Sequence, residues 1–151
     1  MFFKPFISCT FRCPKIKVKT LTKQIIELSS ELGLQAVPEY RTPDGTRIDI
    51  AILNGEEKLL AIELEASFKW FPQRLLYDVV KAYRAGFTEL WVVSNFNSKP
   101  GWVKNYSTEI GVETRIVKEN EVLEELTTRL LQQTKKKEGH YLDFLGANVR
   151  V

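Results

Sequence analysis

The first helix-like pattern in the chain lies between residues 20 and 32. Leu21, Ile25, Leu28 and Leu32 recur every three or four residues, so their side chains share one face of a helix. Thr20 or Thr22 is a suitable residue at the start, and Gly33 is a typical residue just beyond the end. The pattern predicts an amphipathic helix whose apolar face is buried.

Shorter apolar or alternating runs follow, and turn signals separate them. Pro43-Asp44-Gly45 predicts a tight turn, and Asn54-Gly55 predicts a hairpin. The patterns predict strands over residues 34–40, 46–53, 58–65, 89–94 and 112–117, and further helices over 71–85, 102–110 and 120–133. Pro38 places the first strand at an edge or a bulge. A hairpin followed by a crossover helix predicts an α/β fold of three layers, α/β/α, with a mixed central sheet and helices on both faces.

Carboxylates interrupt the two strands of the predicted hairpin. Asp49 lies within an apolar run, and Glu63 and Glu65 lie within the next. Residues two apart in a strand project to the same face, and a neighbouring strand can bring Asp49 beside them. Three like charges so close together are unfavourable unless a cation or a proton lies among them. Hard oxygen donors favour Mg²⁺ or Mn²⁺ over zinc, although an exposed strand face with ordinary charges gives the same alternation.

The composition is that of a globular domain with segregated charge. The 151 residues are 44% hydrophobic and 27% charged, with a net charge of +3. A predicted N-terminal arm, residues 1–19, contains basic residues and no acidic ones. A predicted C-terminal tail, residues 135–151, is also basic. The predicted domain between them, 20–134, is acidic. Basic ends suit an anionic polymer such as DNA, or they serve only to keep the protein in solution.

Other classes of site have little support. Cys9 and Cys13 are the only cysteines, and His140 is the only histidine, so free thiols are favoured over a zinc site. Glycine-rich phosphate loops and serine elbows are absent from the sequence. No apolar run approaches the roughly 18–20 residues that cross a bilayer, and no long apolar leader is evident. We expect no membrane partner and a cytoplasmic location.

The acids and the order of elements resemble the PD-(D/E)XK nuclease superfamily over roughly residues 20–117. In this resemblance Glu31 is the acid of the first helix, Asp49 lies in the second strand, and Glu63-Leu64-Glu65 is the triplet of the third. The resemblance implies a restriction-endonuclease-like fold and a Mg²⁺ ion, for which Mn²⁺ can substitute. It implies that Asp49, Glu63 and the backbone carbonyl of Leu64 bind the metal, and that Glu31 is an outer ligand.

The triplet departs from the family at its last position. Glu65 stands where the family usually has lysine, although some restriction enzymes of the superfamily carry glutamate there. Glu65 is then expected to hold a second metal or to orient the attacking water. Lys69 or Lys81 could supply the displaced positive charge.

The helix after the triplet contains a second similarity. Gln73 and Tyr77 have the Gln-x-x-x-Tyr spacing that follows the triplet in RecB-family nucleases. Residues four apart share a helix face, and Lys81 and Arg84 fall on the same stripe. We expect this stripe to contact nucleic acid, whereas Leu75, Val79 and Tyr83 are among the residues expected on the buried side. Packing at the border of an amphipathic helix is the alternative for Tyr77.

Three aromatic residues are candidates for the core or for contacts with nucleic acid. Trp91 is expected in the core, and Phe96 and Trp102 flank a loop where they could stack on unpaired bases.

The expected function is a metal-dependent deoxyribonuclease acting as a homodimer. The alternatives are a non-cleaving module that binds nucleic acid and a nuclease subunit of a larger complex.

Overall fold

A computed structural model describes residues 16–66, 71–95 and 100–149, with the backbone alone for residue 71 and residues 136–149. Cys9, Cys13, Lys69, Phe96 and most of the N-terminal arm lie outside the described residues. The helices are α1 (Val18–Glu31), α2 (Phe71–Ala85), α3 (Gly101–Glu109) and α4 (Val122–Val149). The strands are β1 (Gln35–Arg41), β2 (Arg47–Asn54), β3 (Glu57–Leu64), β4 (Glu89–Val93) and β5 (Glu113–Val117).

The five strands form one mixed sheet in the order β1-β2-β3-β4-β5. The first two pairings are antiparallel, and β3 then pairs parallel to β4, and β4 parallel to β5. A parallel pair needs a crossover, which α2 provides between β3 and β4. The predicted α/β class with a mixed sheet is therefore confirmed, and Pro38 does lie in an edge strand.

Helices cover both faces of the sheet. On one face Leu21 and Ile25 of α1 and Leu126 of α4 pack against apolar residues such as Ile50 and Trp91. On the other face, Leu75 and Val79 of α2 and Val103 of α3 pack against small strand residues such as Ala51 and Ala61. Trp91 is fully buried, as predicted. The small residues beneath α2 let this helix lie close to the sheet.

Three details of the helices differ from the predictions. Helix α1 begins at Val18, where the Lys17 N–H donates to Glu119 Oε2 (2.6 Å), and no threonine caps it. Helix α4 continues to Val149 and does not end near residue 133, because lysine is a good helix former and the basic run at 135–137 favours continuation. Tyr83 is 55% exposed, so its predicted place on the buried side of α2 is wrong.

A short 3-10 helix, Glu119–Glu121, precedes α4, whose start was predicted at residue 120 and lies at Val122. In the part of the chain that the structure describes, no helix combines the length and the apolar character needed to cross a membrane.

Candidate metal centre

Strands β2 and β3 separate beside the acidic residues. Their last paired positions at this end are Ile50 and Ile62, whereas the Glu65 N–H still donates to the Val93 carbonyl of β4 (2.9 Å). On the β2 side, the N–H of Leu64 donates to Asp49 Oδ2 at 2.7 Å. A side-chain carboxylate thus takes the place of a backbone acceptor. This bond fixes Asp49 at the opening between the two strands.

Glu63 and Glu65 lie on the sheet face that α2 covers. They alternate with Leu64, which packs toward α1 and α4, so both glutamates project toward α2. Both are buried, at 2% and 8% exposure. A cavity of about 540 Å³ is lined by Asp49, Glu63, Leu64, Glu65, Gln73, Arg74, Tyr77, Asp78 and Lys81.

Most of the predicted site residues therefore meet in one place. Seven of the nine lining residues are predicted site residues: Asp49, Glu63, Leu64, Glu65, Gln73, Tyr77 and Lys81. Asp49 and Glu63 face the same cavity, as a shared metal site requires. The binding role of the Leu64 carbonyl stays a prediction.

Lys81 is a buried cation in contact with the acids. Its Nζ lies 2.8 Å from Glu63 Oε1 and 3.6 Å from Asp78 Oδ1, and it donates to the Arg47 carbonyl at 2.8 Å. It also lies 5.1 Å from the ring centroid of Tyr77. Three anionic or polar partners hold the ammonium group in one position. The cavity thus contains a fixed positive charge that comes from α2.

Asp78 and Arg74 are functional candidates that sequence reasoning missed. Asp78 is 2% exposed, and Arg74 Nη1 lies 3.5 Å from Glu65 Oε2. Both lie within one helical turn of Tyr77 on the side of α2 that faces the cavity. An aspartate directly before Val79, at the border of the apolar stripe, was the available signal for Asp78.

Burial and mutual repulsion oppose ionisation of two of the carboxyls. Burial is the main cause that raises the pKa of Glu63 to about 8; nearby Asp49 adds to the effect, and Lys81 opposes it. Burial, followed by the charge of Glu63 and the proximity of Glu65, raises the pKa of Asp78 to about 10. Burial by itself would lower the pKa of Lys81, yet the hydrogen bond and the charge of Glu63 raise it overall. The cluster stabilises a bound proton or cation at neutral pH.

Two predicted residues lie away from the cavity, and a third lies outside the described residues. Glu31 is exposed at the end of α1, and α1 packs on the opposite face of the sheet. This end of α1 lies near the Gln35–Leu53 end of the β1–β2 pair. Its prediction as an outer ligand is therefore not supported by the fold. Arg84 is exposed and pairs with Asp44 (3.2 Å), so the helical stripe turns away from the acids before reaching it. Lys69 is the predicted residue outside the described part.

The donor set suits a hard divalent cation. Glu63, Glu65 and Asp78 each offer a carboxylate oxygen, and these oxygens lie within 4.8 Å of one another. Asp78 Oδ2 is buried and has no hydrogen-bond partner among the described residues. A buried oxygen without a partner is costly, and a cation would satisfy it. Oxygen-only donors favour Mg²⁺, Mn²⁺ or Ca²⁺.

Comparisons of the chain with family models, with curated proteins and with solved structures give no match. The functional assignment therefore depends on the chemistry of this cavity.

Proposed function

We propose that the protein is a divalent-cation-dependent hydrolase of phosphodiester bonds in DNA. The observation that carries the proposal is the convergence of Asp49, Glu63 and Glu65 with the buried Lys81 at the opening between β2 and β3. The resemblance of these residues to the PD-(D/E)XK pattern supports the same reaction class. A restriction-endonuclease-like fold is part of the proposal.

The acids and the strand opening provide a place for the cation. Asp49, Glu63 and the Leu64 carbonyl are the proposed ligands, and the Leu64 N–H holds the Asp49 carboxylate in position (2.7 Å). A divalent cation held there supplies Lewis-acid polarisation of the phosphate and a bound water of lowered pKa. In the reaction, a water oxygen would bond to phosphorus and release a proton to solvent, the bridging P–O bond would break, and the leaving oxygen would take up a proton from solvent.

Lys81 is proposed to act in place of the lysine that the triplet lacks. Its ammonium group lies against Glu63 (2.8 Å), and the Arg47 carbonyl (2.8 Å) restricts its movement. A fixed positive charge stabilises the negative charge that develops on the phosphate oxygens. Glu65, whose carboxylate lies near Arg74, remains the candidate to orient water or to contact a second ion.

The exposed edge of α2 is proposed to position the substrate. Tyr77 is 54% exposed at the cavity, and Gln73 and Arg74 precede it by one turn. An amide, a phenol and a guanidinium group are suited to phosphate and sugar contacts, which position a strand without reading its sequence.

The test is DNA cleavage with matched variants. Plasmid, single-stranded and branched DNA are incubated with the full chain in Mg²⁺ or Mn²⁺, and parallel reactions contain EDTA. We expect cleavage that EDTA abolishes and that Asp49→Asn and Lys81→Met reduce by at least about 100-fold, as expected for groups that stabilise the transition state. Glu109→Gln is the matched control, because Glu109 is an exposed acid outside the cavity.

The alternative is a module that binds DNA without cutting it. Retained DNA binding with no cleavage of any substrate form would favour that module and refute the hydrolase. A homodimer stays a prediction, and sedimentation of the full chain at several concentrations measures it.

A further inference from the structure

We propose that a groove along the open edge of β5 binds residues 1–15 of the chain's own N-terminal arm. This β5 groove has a volume of about 380 Å³. Besides β5 it is lined by Pro100 and Val103 at the start of α3, and by Glu121 and Glu125 at the start of α4. The proposal depends on no part of the proposed hydrolase.

Two peptide groups of β5 face the groove without a strand to pair with. β5 is the last strand of the sheet. The Glu113 N–H donates to the Thr88 carbonyl at 2.8 Å, and the Val117 carbonyl accepts a hydrogen bond from the residue after β4 at 3.0 Å. Alternate residues of a strand bond to the same neighbour, so the peptide groups of Thr114 and Ile116 point away from β4. They have no backbone partner among the described residues.

The two edges of the sheet are protected differently. β1 contains Pro38, followed by Glu39 with a φ of 48°. A proline and a residue in the left-handed region hinder pairing with a further strand. β5 has neither device. An edge without them is open to pairing with another segment, and we expect one to cover it.

The N-terminal arm joins the described part of the chain beside the C-terminal end of β5. Ile16 is buried in the same apolar cluster as Val117 and Val122, and the Lys17 N–H donates to Glu119 Oε2 at 2.6 Å. Fifteen extended residues span about 50 Å, whereas the five residues of β5 span about 17 Å. The arm can therefore run along the whole of β5, in the same direction as this strand.

The arm and the groove have complementary chemistry. Residues 113–125 contain five glutamates against Arg115 and Lys118, a net charge of −3. Residues 1–15 contain three basic residues, no acidic residue and four phenylalanines. Exposed ion pairs contribute little each, so we expect backbone hydrogen bonds and apolar contacts, for example with Val103, to provide most of the binding.

An extended segment suits the groove better than the β5 strand of a second copy. Both α3 and α4 border the groove. A second copy would bring its own α3 and α4 against these two helices, whereas an extended segment carries no helices beside it.

The first measurement is amide hydrogen exchange of the full chain by NMR. β4 protects the inward-facing residues of β5 in any case, whereas only a segment in the groove protects Thr114 and Ile116. We expect exchange at both amides to be at least about tenfold slower than in an unprotected chain. Glu121→Lys should speed it at least about threefold. Glu109→Lys, the same charge change at an exposed residue outside the groove, should not change it.

The second measurement identifies the segment. Cys9 and Cys13 are the only cysteines of the chain, so a nitroxide spin label on Cys13 in Cys9→Ser reports on the arm alone. We expect the label to broaden the amide signals of Thr114 and Ile116 and to leave that of Gln35, in the opposite edge strand, unchanged. In a mixture of spin-labelled and isotope-labelled chains, we expect no broadening.

The outcomes are independent of DNA cleavage. Fast exchange at Thr114 and Ile116, or slow exchange without broadening, would overturn the proposal and leave the hydrolase untouched. Broadening that occurs only in the mixture would assign the groove to a second copy and overturn binding within one chain. Slow exchange with broadening within one chain would support the proposal even if no DNA is cleaved.

Discussion

Replacement of Asp78 by asparagine should make the metal-free protein more stable at alkaline pH. Asp78 is buried on α2 beside Glu63 and Glu65, and its pKa is raised from 3.8 to about 10. Asparagine has nearly the same size and shape as aspartate but no proton to lose. The substitution therefore removes a titration and keeps the packing of the helix.

The sign and size of the effect follow from proton linkage. Between the ordinary pKa of 3.8 and the raised value of about 10, the folded protein carries one proton on Asp78 that the unfolded chain has lost. In that range each pH unit lowers the free energy of unfolding by about 1.4 kcal/mol. The contribution of Asp78 to the free energy of unfolding is thus fully present below pH 3.8, and it is lost progressively as the pH rises toward about 10. Raising the pH from 6 to 8 should cost the wild type about 2.7 kcal/mol more than Asp78→Asn.

The assay is urea denaturation in EDTA at three pH values between 6 and 8, with Glu109→Gln as the control. The slopes of unfolding free energy against pH should differ between wild type and Asp78→Asn, whereas Glu109→Gln should follow the wild type. Parallel curves for wild type and Asp78→Asn would show that Asp78 is ionised in the folded protein, and the electrostatic account of the cluster would then be refuted.

Two further predictions test other residues of the same face. Lys81→Met leaves Glu63 without its cation, and removal of one partner from a buried pair costs about 3–5 kcal/mol where the remaining acid is ionised. Because the pKa of Glu63 is about 8, urea denaturation at pH 9 measures this loss, and a cost below about 1 kcal/mol there would show that Glu63 is compensated without Lys81. Trp102→Ala should weaken binding of single-stranded DNA by about 1–3 kcal/mol in a fluorescence titration, because Trp102 is 54% exposed and free to stack on bases. The melting temperature should change little, and Tyr83→Ala, which removes an equally exposed aromatic side chain from the far end of α2, should leave binding unchanged.

Local patterns were sufficient for most of the secondary structure. Strand β2 and helix α2 could be located because their apolar residues repeat at the periods of a strand and a helix. The positive φ of Gly33 (75°) agrees with its prediction as a helix stop. The predicted end of α4 was wrong. A run of lysines has high helix propensity, and its charge does not show whether the helix ends there or continues.

The strand acids of the candidate site were also predictable from the sequence. Asp49, Glu63 and Glu65 could be placed on one face because alternation along a strand determines the side to which each side chain points. Gln73 and Tyr77 could be assigned to one face of α2 by the same kind of periodicity. These are short-range properties, and each depends only on the backbone geometry of one element.

Only the tertiary structure decided which helix residues meet the acids. The order of elements did not reveal that α1 covers the opposite face, which separates Glu31 from the cavity. Nor did it give the rotation of α2 about its own axis, which turns Lys81 and Asp78 inward and leaves Arg84 paired with Asp44. That rotation is set by the packing of Leu75 and Val79 on the small residues Ala51 and Ala61. The sequence thus determined which acids the sheet presents, and long-range packing decided which cation and which fourth carboxylate lie against them.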